Sequence, residues 1–211
     1  SGLEVEFVAG TGKCVVYFKP NQIYFLNAAL KLEMLAESGD LFKHDQVIGT
    51  TYPTSQSIAE LADVFNKRYA KGFARSGTRI RVFNTPVGFK YFGEMVGDIE
   101  AQLDQGKEVV LKDVTGKEVS LGRSPRILIM AEESGGAAMG SATWRLSKSK
   151  KRKSLAMKEK DGMQIALMNL GVMSKLYLEK KSFAELYVEK IEEYDIQHRY
   201  YQRIDKTLFE E

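Results

Sequence analysis

The chain has 211 residues, of which 44% are hydrophobic, 28% charged and 10% aromatic, and its formal net charge is +3. That balance excludes a disordered chain and fits one or at most two domains. No apolar run approaches the roughly 18 residues of a membrane-spanning helix, so no membrane partner is expected.

The opening, Ser1 to Glu6, is neither basic nor a long apolar stretch and reads as a trimmed fusion scar rather than a signal peptide. Leu3, Val5 and Phe7 alternate as a half-buried strand should. Ala9-Gly10-Thr11-Gly12 predicts a turn, and Lys13 to Lys19 a second strand in which Cys14 reads as a buried small hydrophobe. A phosphate loop at Gly10-Thr11-Gly12-Lys13 is disfavoured, because a strand follows where the nucleotide chemistry needs a helix amino terminus. Gln22 to Glu37 predicts a largely buried helix. Ser57 and Glu60 have capping-box spacing ahead of a stripe of Ile58, Leu61, Phe65 and Tyr69, closed at Gly72. Thr78 to Asn84 predicts a strand. Thr85-Pro86 resembles an N-cap with proline at the first helical position, opening a helix with Phe92, Val96, Ile99 and Leu103 inward. Gly93 and Gly97 on that helix point to a close helix–sheet contact.

The period then changes to two. Glu108–Val114 and Lys117–Gly122 flank the hairpin signal Thr115-Gly116. Arg126 to Ala131 reads as a central strand, Ser134 to Gly140 as a flexible loop, and Ala142 to Ser147 as one more strand. Gly162 to Lys180 is helical. Ser182 and Glu185 form a second capping box, opening a helix predicted to reach Leu208 with Phe183, Leu186, Tyr187, Ile191, Tyr194, Tyr201, Ile204 and Leu208 on one face. The predicted class is α+β, an antiparallel sheet packed with helices and followed by a helical C-terminal arm. The expected division is a core domain over 1–146, a basic loop over 147–161 and the helical arm over 162–211.

Cys14, His44 and His198 are the only residues of their types. They permit no intramolecular disulfide and no zinc finger, and neither histidine sits in a nucleophile motif. The lone cysteine points to a reducing compartment, the cytoplasm, with the nucleus left open. No cofactor and no metal are expected on the leading reading. The adjacent carboxylates Glu132 and Glu133, between a central strand and a glycine loop, are the candidates for a metal or catalytic role. Asp98, Glu100, Glu192 and Glu193 read as solvated helix faces.

Charge is segregated. Trp144 to Lys160 holds eight basic residues (Arg145, Lys148, Lys150, Lys151, Arg152, Lys153, Lys158, Lys160) and one acidic residue, a surplus of +7 against +3 for the whole chain. Such clusters neutralise phosphates, although a solvated loop would have the same composition. Arg68, Lys71, Arg75, Arg79 and Arg81, interleaved with Phe73 and other rings, form a second basic group of the kind a single-strand platform uses, as does Trp144 beside the first run. The acidic end with one aromatic, Asp205 to Glu211, resembles the partner-docking tips of bacterial and phage single-stranded DNA-binding proteins, which implies a protein partner there; a fraying helix end is the plain alternative. The expectation is therefore a non-enzymatic nucleic-acid-binding protein, favouring single-stranded DNA, in replication or transcription. Two alternatives stand beside it: an assembly protein forming a homodimer or higher oligomer through its last helix, and a metal-dependent enzyme using Glu132 and Glu133.

Overall fold

Gln46 to Thr51 carry no period-two alternation, yet all six are buried, and they form the middle of the structure. The computed structural model describes residues 2–201. A hairpin of β1 (Glu4–Val8) and β2 (Lys13–Tyr17) precedes α1 (Pro20–Glu37), a 3-10 turn at Asp40–Phe42, and β3 (Gln46–Thr51). Helices α2 (Ser57–Arg68) and α3 (Ala70–Ser76) lead to β4 (Ile80–Thr85). Next come α4 (Lys90–Asp104), a second hairpin of β5 (Val109–Lys112) and β6 (Glu118–Gly122), then β7 (Arg126–Ala131), β8 (Ala137–Leu146) and β9 (Lys153–Ala156). Helices α5 (Gly162–Leu178) and α6 (Phe183–Glu193) complete the order.

The class is α+β, with a five-stranded sheet, two small antiparallel sheets and the expected C-terminal helices. The five strands lie in the order β4-β3-β7-β8-β9. Inside this sheet β3 runs parallel to both β4 and β7, while β8 and β9 join antiparallel. Parallel strands need cover on both faces. One face carries α1, α2, α5 and α6 over Ile48, Leu128, Ile129 and Ala131. The other carries α4 and the second hairpin over Val47, Ile127 and Met130.

Several local expectations change. Cys14 is exposed, because β1 and β2 pair only with each other and stand largely in solvent. The turn between them is a hairpin turn, with Gly10 and Gly12 at φ of 73° and 65°. Ser57 does not cap α2: it is already helical, and its Oγ lies 3.1 Å from Ser55 Oγ. Glu60 instead accepts from the backbone amides of Gln197 and His198 at 2.9 and 3.1 Å, so it ties the chain after α6 back to α2. Thr85 ends β4 rather than capping a helix, and α4 starts at Lys90. Gly93 does mark a close approach, since a Cβ there would lie 2.9 Å from Lys158 O just past β9. A second close glycine is on the strand: a Cβ at Gly49 would meet Met95 Cε at 3.0 Å and Phe92 at 3.2 Å. Glu100 is buried, accepting from Ser154 Oγ and Leu155 N and pairing with Lys158 at 2.8 Å. The basic segment is a hairpin turn, 147–152, between β8 and β9.

The last helix keeps its capping box, with Ser182 Oγ accepting from Glu185 N at 3.1 Å. It stops at Glu193, followed by Asp195 at φ 48°. Leu186, Tyr187, Ile191 and Tyr194 are buried in the core shared with α1 and α2. Ile204, Leu208 and the acidic segment 205–211 lie outside the described residues. The open apolar face belongs to α5, where Met163, Leu167, Leu170, Tyr177 and Leu178 are each at least 60% exposed. No helix among the described residues is long and apolar enough to cross a membrane.

Lys31 of α1 closes the sheet where β7 and β8 part. Their ladder runs from Ala131↔Ala137 to Ile129↔Met139. Beyond it, Lys31 Nζ donates to Leu128 O at 2.9 Å and Gly140 O at 3.1 Å. Burial pushes this ammonium down to about 8 from its ordinary 10.5. Below pH 8 the amine is charged in both states, and the folded state bears its desolvation. Between pH 8 and 10.5 only the unfolded chain holds the proton, so stability rises with pH. Urea unfolding should therefore show a gain of about 1–3 kcal/mol between pH 7.5 and 9.5, before the tyrosines ionise, with the two carbonyl contacts setting the lower bound. Lys31→Met should flatten this slope; an unchanged slope would assign it to other groups.

Candidate active site

In a sheet with parallel strands the backbone geometry favours ligand sites beyond the carboxyl ends, where successive connections leave a central strand in opposite directions. Here the chain passes from β3 to β4 on one side and returns to β7 on the other, so the crevice lies between the ends of β3 and β7. The residues at those ends are Thr50 and Thr51 on one strand and Ala131, followed by Glu132 and Glu133, on the other.

Both carboxylates are buried, with relative exposures of 4% for Glu132 and 6% for Glu133. Thr51 Oγ1 donates to Glu133 Oε2 at 2.6 Å, and Thr54 Oγ1 lies 2.8 Å from Thr51 Oγ1. Thr54 Oγ1 also donates to Ala131 O at 3.4 Å, so its one proton is shared between that carbonyl and Thr51. Glu132 forms no ion pair among the described residues. The loop turns tightly beneath it, with Glu132 N donating to Gly136 O at 2.9 Å and Gly135 N to Glu132 O at 3.1 Å. Gly135 has φ of 110°. A Cβ on Gly136 would lie 2.2 Å from Glu132 Oε1, so only glycine lets that carboxylate fold over the loop.

Helix α1 begins at the same place, since Pro20 Cγ is 3.8 Å from where a Cβ on Gly135 would be. Free amides at a helix amino terminus favour negative charge nearby. Asn21, on the first turn, accepts from Ser55 N at 3.2 Å through Oδ1, while its buried Nδ2 has no hydrogen-bond partner. Burial and then the charge of Glu132 push the Tyr24 hydroxyl up to about 12. One strand over, Thr50 Oγ1 donates to Asn84 Oδ1 at 2.7 Å. Asn84 and Thr85 border an open cleft of about 370 Å³ whose other polar walls are Tyr91, Glu94, Asp98, Lys112 and Asp113. The whole edge is rich in acceptors. Among the described residues, however, no group of three His, Cys, Asp or Glu side chains converges as a metal site would need.

The sequence pointed to Glu132 and Glu133 but missed Thr51, Thr54, Asn21, Asn84 and Asp113. Their signal is topological: polar residues ending apolar strands acquire meaning only when the strand order is known.

The nucleic-acid expectation is corrected. Its two basic groups lie at opposite edges of the five-stranded sheet, around β4 and around β8–β9. Phe73 is 6% exposed and packs edge-on against Phe42 at 5.2 Å, so it offers no face to a base. Arg68 pairs with Glu193 at 3.1 Å and covers the Tyr194 ring. Arg81 faces Asp45 at 3.6 Å. Trp144 packs on the α4-side core with Lys153 over its ring at 4.4 Å, and Lys153 also pairs with Asp104. Arg145 donates to Ser141 Oγ at 3.0 Å. Lys71, Arg75, Arg79, Lys148, Lys150, Lys151 and Arg152 are exposed but divided between the two edges.

No family model matches the chain, and no curated protein does. A solved structure that resembles it is a Thermus thermophilus protein described as a "putative phosphomannomutase", 16% identical with a TM-score of 0.45. The likeness covers 92% of this chain and 31% of that one, so the chain spans about a third of that protein's length.

The contact at Gly136 is testable. Gly136→Ala should cost about 1–3 kcal/mol of stability through overpacking. In a double-mutant cycle, Glu132→Ala should recover most of that loss, because the clashing oxygen is gone. Strict additivity in urea unfolding would show that the two residues do not touch.

Proposed function

We propose that this chain carries the substrate-binding carboxylates of an enzyme that acts on a small, hydroxyl-rich molecule of the sugar or polyol type. The observation that carries the reading is the buried Glu132–Glu133 pair at the switch point of the sheet. Burying two adjacent carboxylates is costly unless donors satisfy them, and Thr51 supplies one such donor at 2.6 Å. Neighbouring hydroxyls of a polyol would add donors at Glu132, which forms no ion pair among the described residues. Asn84, Thr85, Glu94, Asp98 and Asp113 extend the acceptor surface along the same edge. Lys112 is the one cation against three carboxylates in this lining, so a ligand that presents mainly O–H donors fits it better than an anion does. A carboxylate that holds a substrate hydroxyl can also take its proton as that oxygen becomes a nucleophile, so group transfer at a hydroxyl is the reaction class supported.

The test is isothermal titration with D-mannose and D-glucose, run beside Mg²⁺ and Mn²⁺. Saturable sugar binding is expected, weakened about tenfold or more in Glu133→Gln, since a hydrogen bond to a charged group is lost. The unfolding midpoint of that variant should hold or rise, as sites built for ligands give up stability for function. Sugar binding that survives Glu132→Gln/Glu133→Gln would overturn the assignment. Metal binding without sugar binding, lost in the same double variant, would replace the polyol with a divalent cation.

A further inference from the structure

A pocket of about 220 Å³ lies at the other end of the sheet, at the amino-terminal edge of β3 and β7. Its charged and imidazole lining comes from Lys31 of α1, Asp40 of the 3-10 turn, Lys43 and His44 after it, and Arg126 at the start of β7, with Gln46 and Thr143 as the neutral polar walls. Three cations thus face one carboxylate. Asp40 is already engaged by Lys43 at 2.5 Å. Lys31 and Arg126 have no acidic partner among the described residues: Lys31 is held by two backbone carbonyls, and Arg126 gives Nε to Ala142 O at 3.0 Å and Nη1 to Pro125 O at 2.9 Å. That leaves Arg126 Nη2 with no acceptor among the described residues. His44 Nδ1 is buried and also lacks a hydrogen-bond partner.

Two half-buried cations without counter-charges are unfavourable by themselves, because desolvation is not offset by pairing. Their convergence in one pocket, beside an imidazole nitrogen with nothing to bond, is the arrangement of a site whose counter-charge comes from outside. We propose that this pocket binds a small tetrahedral oxyanion of the phosphate type, either free or as the terminal group of a phosphomonoester. Arg126 Nη2 and Lys43 would supply charge-assisted hydrogen bonds, Lys31 the charge behind them, and His44 a further donor once protonated. Burial lowers the His44 imidazole first, and the charges of Arg126 and Lys43 lower it further against Asp45 and Asp40. A bound dianion reverses that balance and favours the imidazolium. Bound phosphate is therefore expected to raise the His44 pKa, and binding to weaken above pH 8 as Lys31 gives up its proton. The site is separate from the carboxylate edge and needs nothing from it.

The probe is inorganic phosphate titrated against ¹⁵N-labelled protein, following the His44 ring and the Arg126 side chain at constant ionic strength set by chloride. Saturable shifts at both residues, with the His44 pKa raised, are expected. Glycerol 3-phosphate in a parallel titration separates the two sources: tighter binding than phosphate indicates a phosphomonoester, and equal or weaker binding indicates the free anion. Arg126→Gln should weaken binding about tenfold or more. Lys43→Gln changes an exposed side chain that leaves folding untouched, and it should weaken binding by a smaller factor. Absence of saturable shifts, or shifts unaltered in Lys43→Gln and in folded Arg126→Gln, would overturn the proposal.

Discussion

The arrangement of this molecule follows from one constraint, the burial of β3 on both faces and both edges. A strand hydrogen-bonded to parallel neighbours on each side cannot use water for its backbone, and its side chains must find cover above and below. Two separate cores result, one beneath α1, α2, α5 and α6 and the other beneath α4 and the second hairpin. Gly49 lets α4 approach to the point where Met95 and Phe92 touch the strand. The parallel connections in turn leave a crevice beyond the ends of β3 and β7, and that is where the polar residues of the strand, Thr50 and Thr51, meet Glu133 and Asn84.

The sheet therefore has two ends of opposite chemistry. Beyond its carboxyl ends stand carboxylates, hydroxyls and amides. At its amino-terminal edge stand Lys31, Lys43, His44 and Arg126. Helix α1 runs the full distance between them, from Pro20 beside the Glu132 loop to Lys31 beneath the basic pocket. A helix in that direction aligns its dipole with both ends, amides toward the acidic edge and carbonyls toward the cations. The surplus charge that dominates the composition, on the β8–β9 hairpin, lies apart from both. It is partly neutralised by carboxylates of α4, where Asp104 meets Lys153 and Glu100 meets Lys158.

Much of the fold was legible in the residues. Both hairpins, the strand Arg126–Ala131, the helix ending at Glu37 and the Ser182–Glu185 cap follow from period and capping alone. The strand at the centre was not, because Gly49, Thr50 and Thr51 give it neither alternation nor a continuous apolar run. Without it the sheet reads as antiparallel throughout, and the switch point disappears. Glu132 and Glu133 were singled out by their place after a central strand, but their partners came from loops and strands far apart in sequence. Charge density misled for a related reason: a cluster in sequence becomes a site only if the fold places it on one surface, and here β4 and β9 are opposite edges. The rings expected to stack were instead spent on packing, Phe73 against Phe42 and Trp144 on the second core.

The central claim is that the two buried carboxylates are a ligand site rather than part of the core. Carbon-detected NMR of the glutamate Cδ resonances during titration with a hexose tests this most directly, since it reads those atoms themselves. The account predicts saturable shifts at Glu132 and Glu133 together, with Glu100, equally buried but already satisfied by Ser154, Leu155 and Lys158, unmoved. Cδ signals that stay fixed at Glu132 and Glu133 while the hexose binds elsewhere, or does not bind, would contradict it.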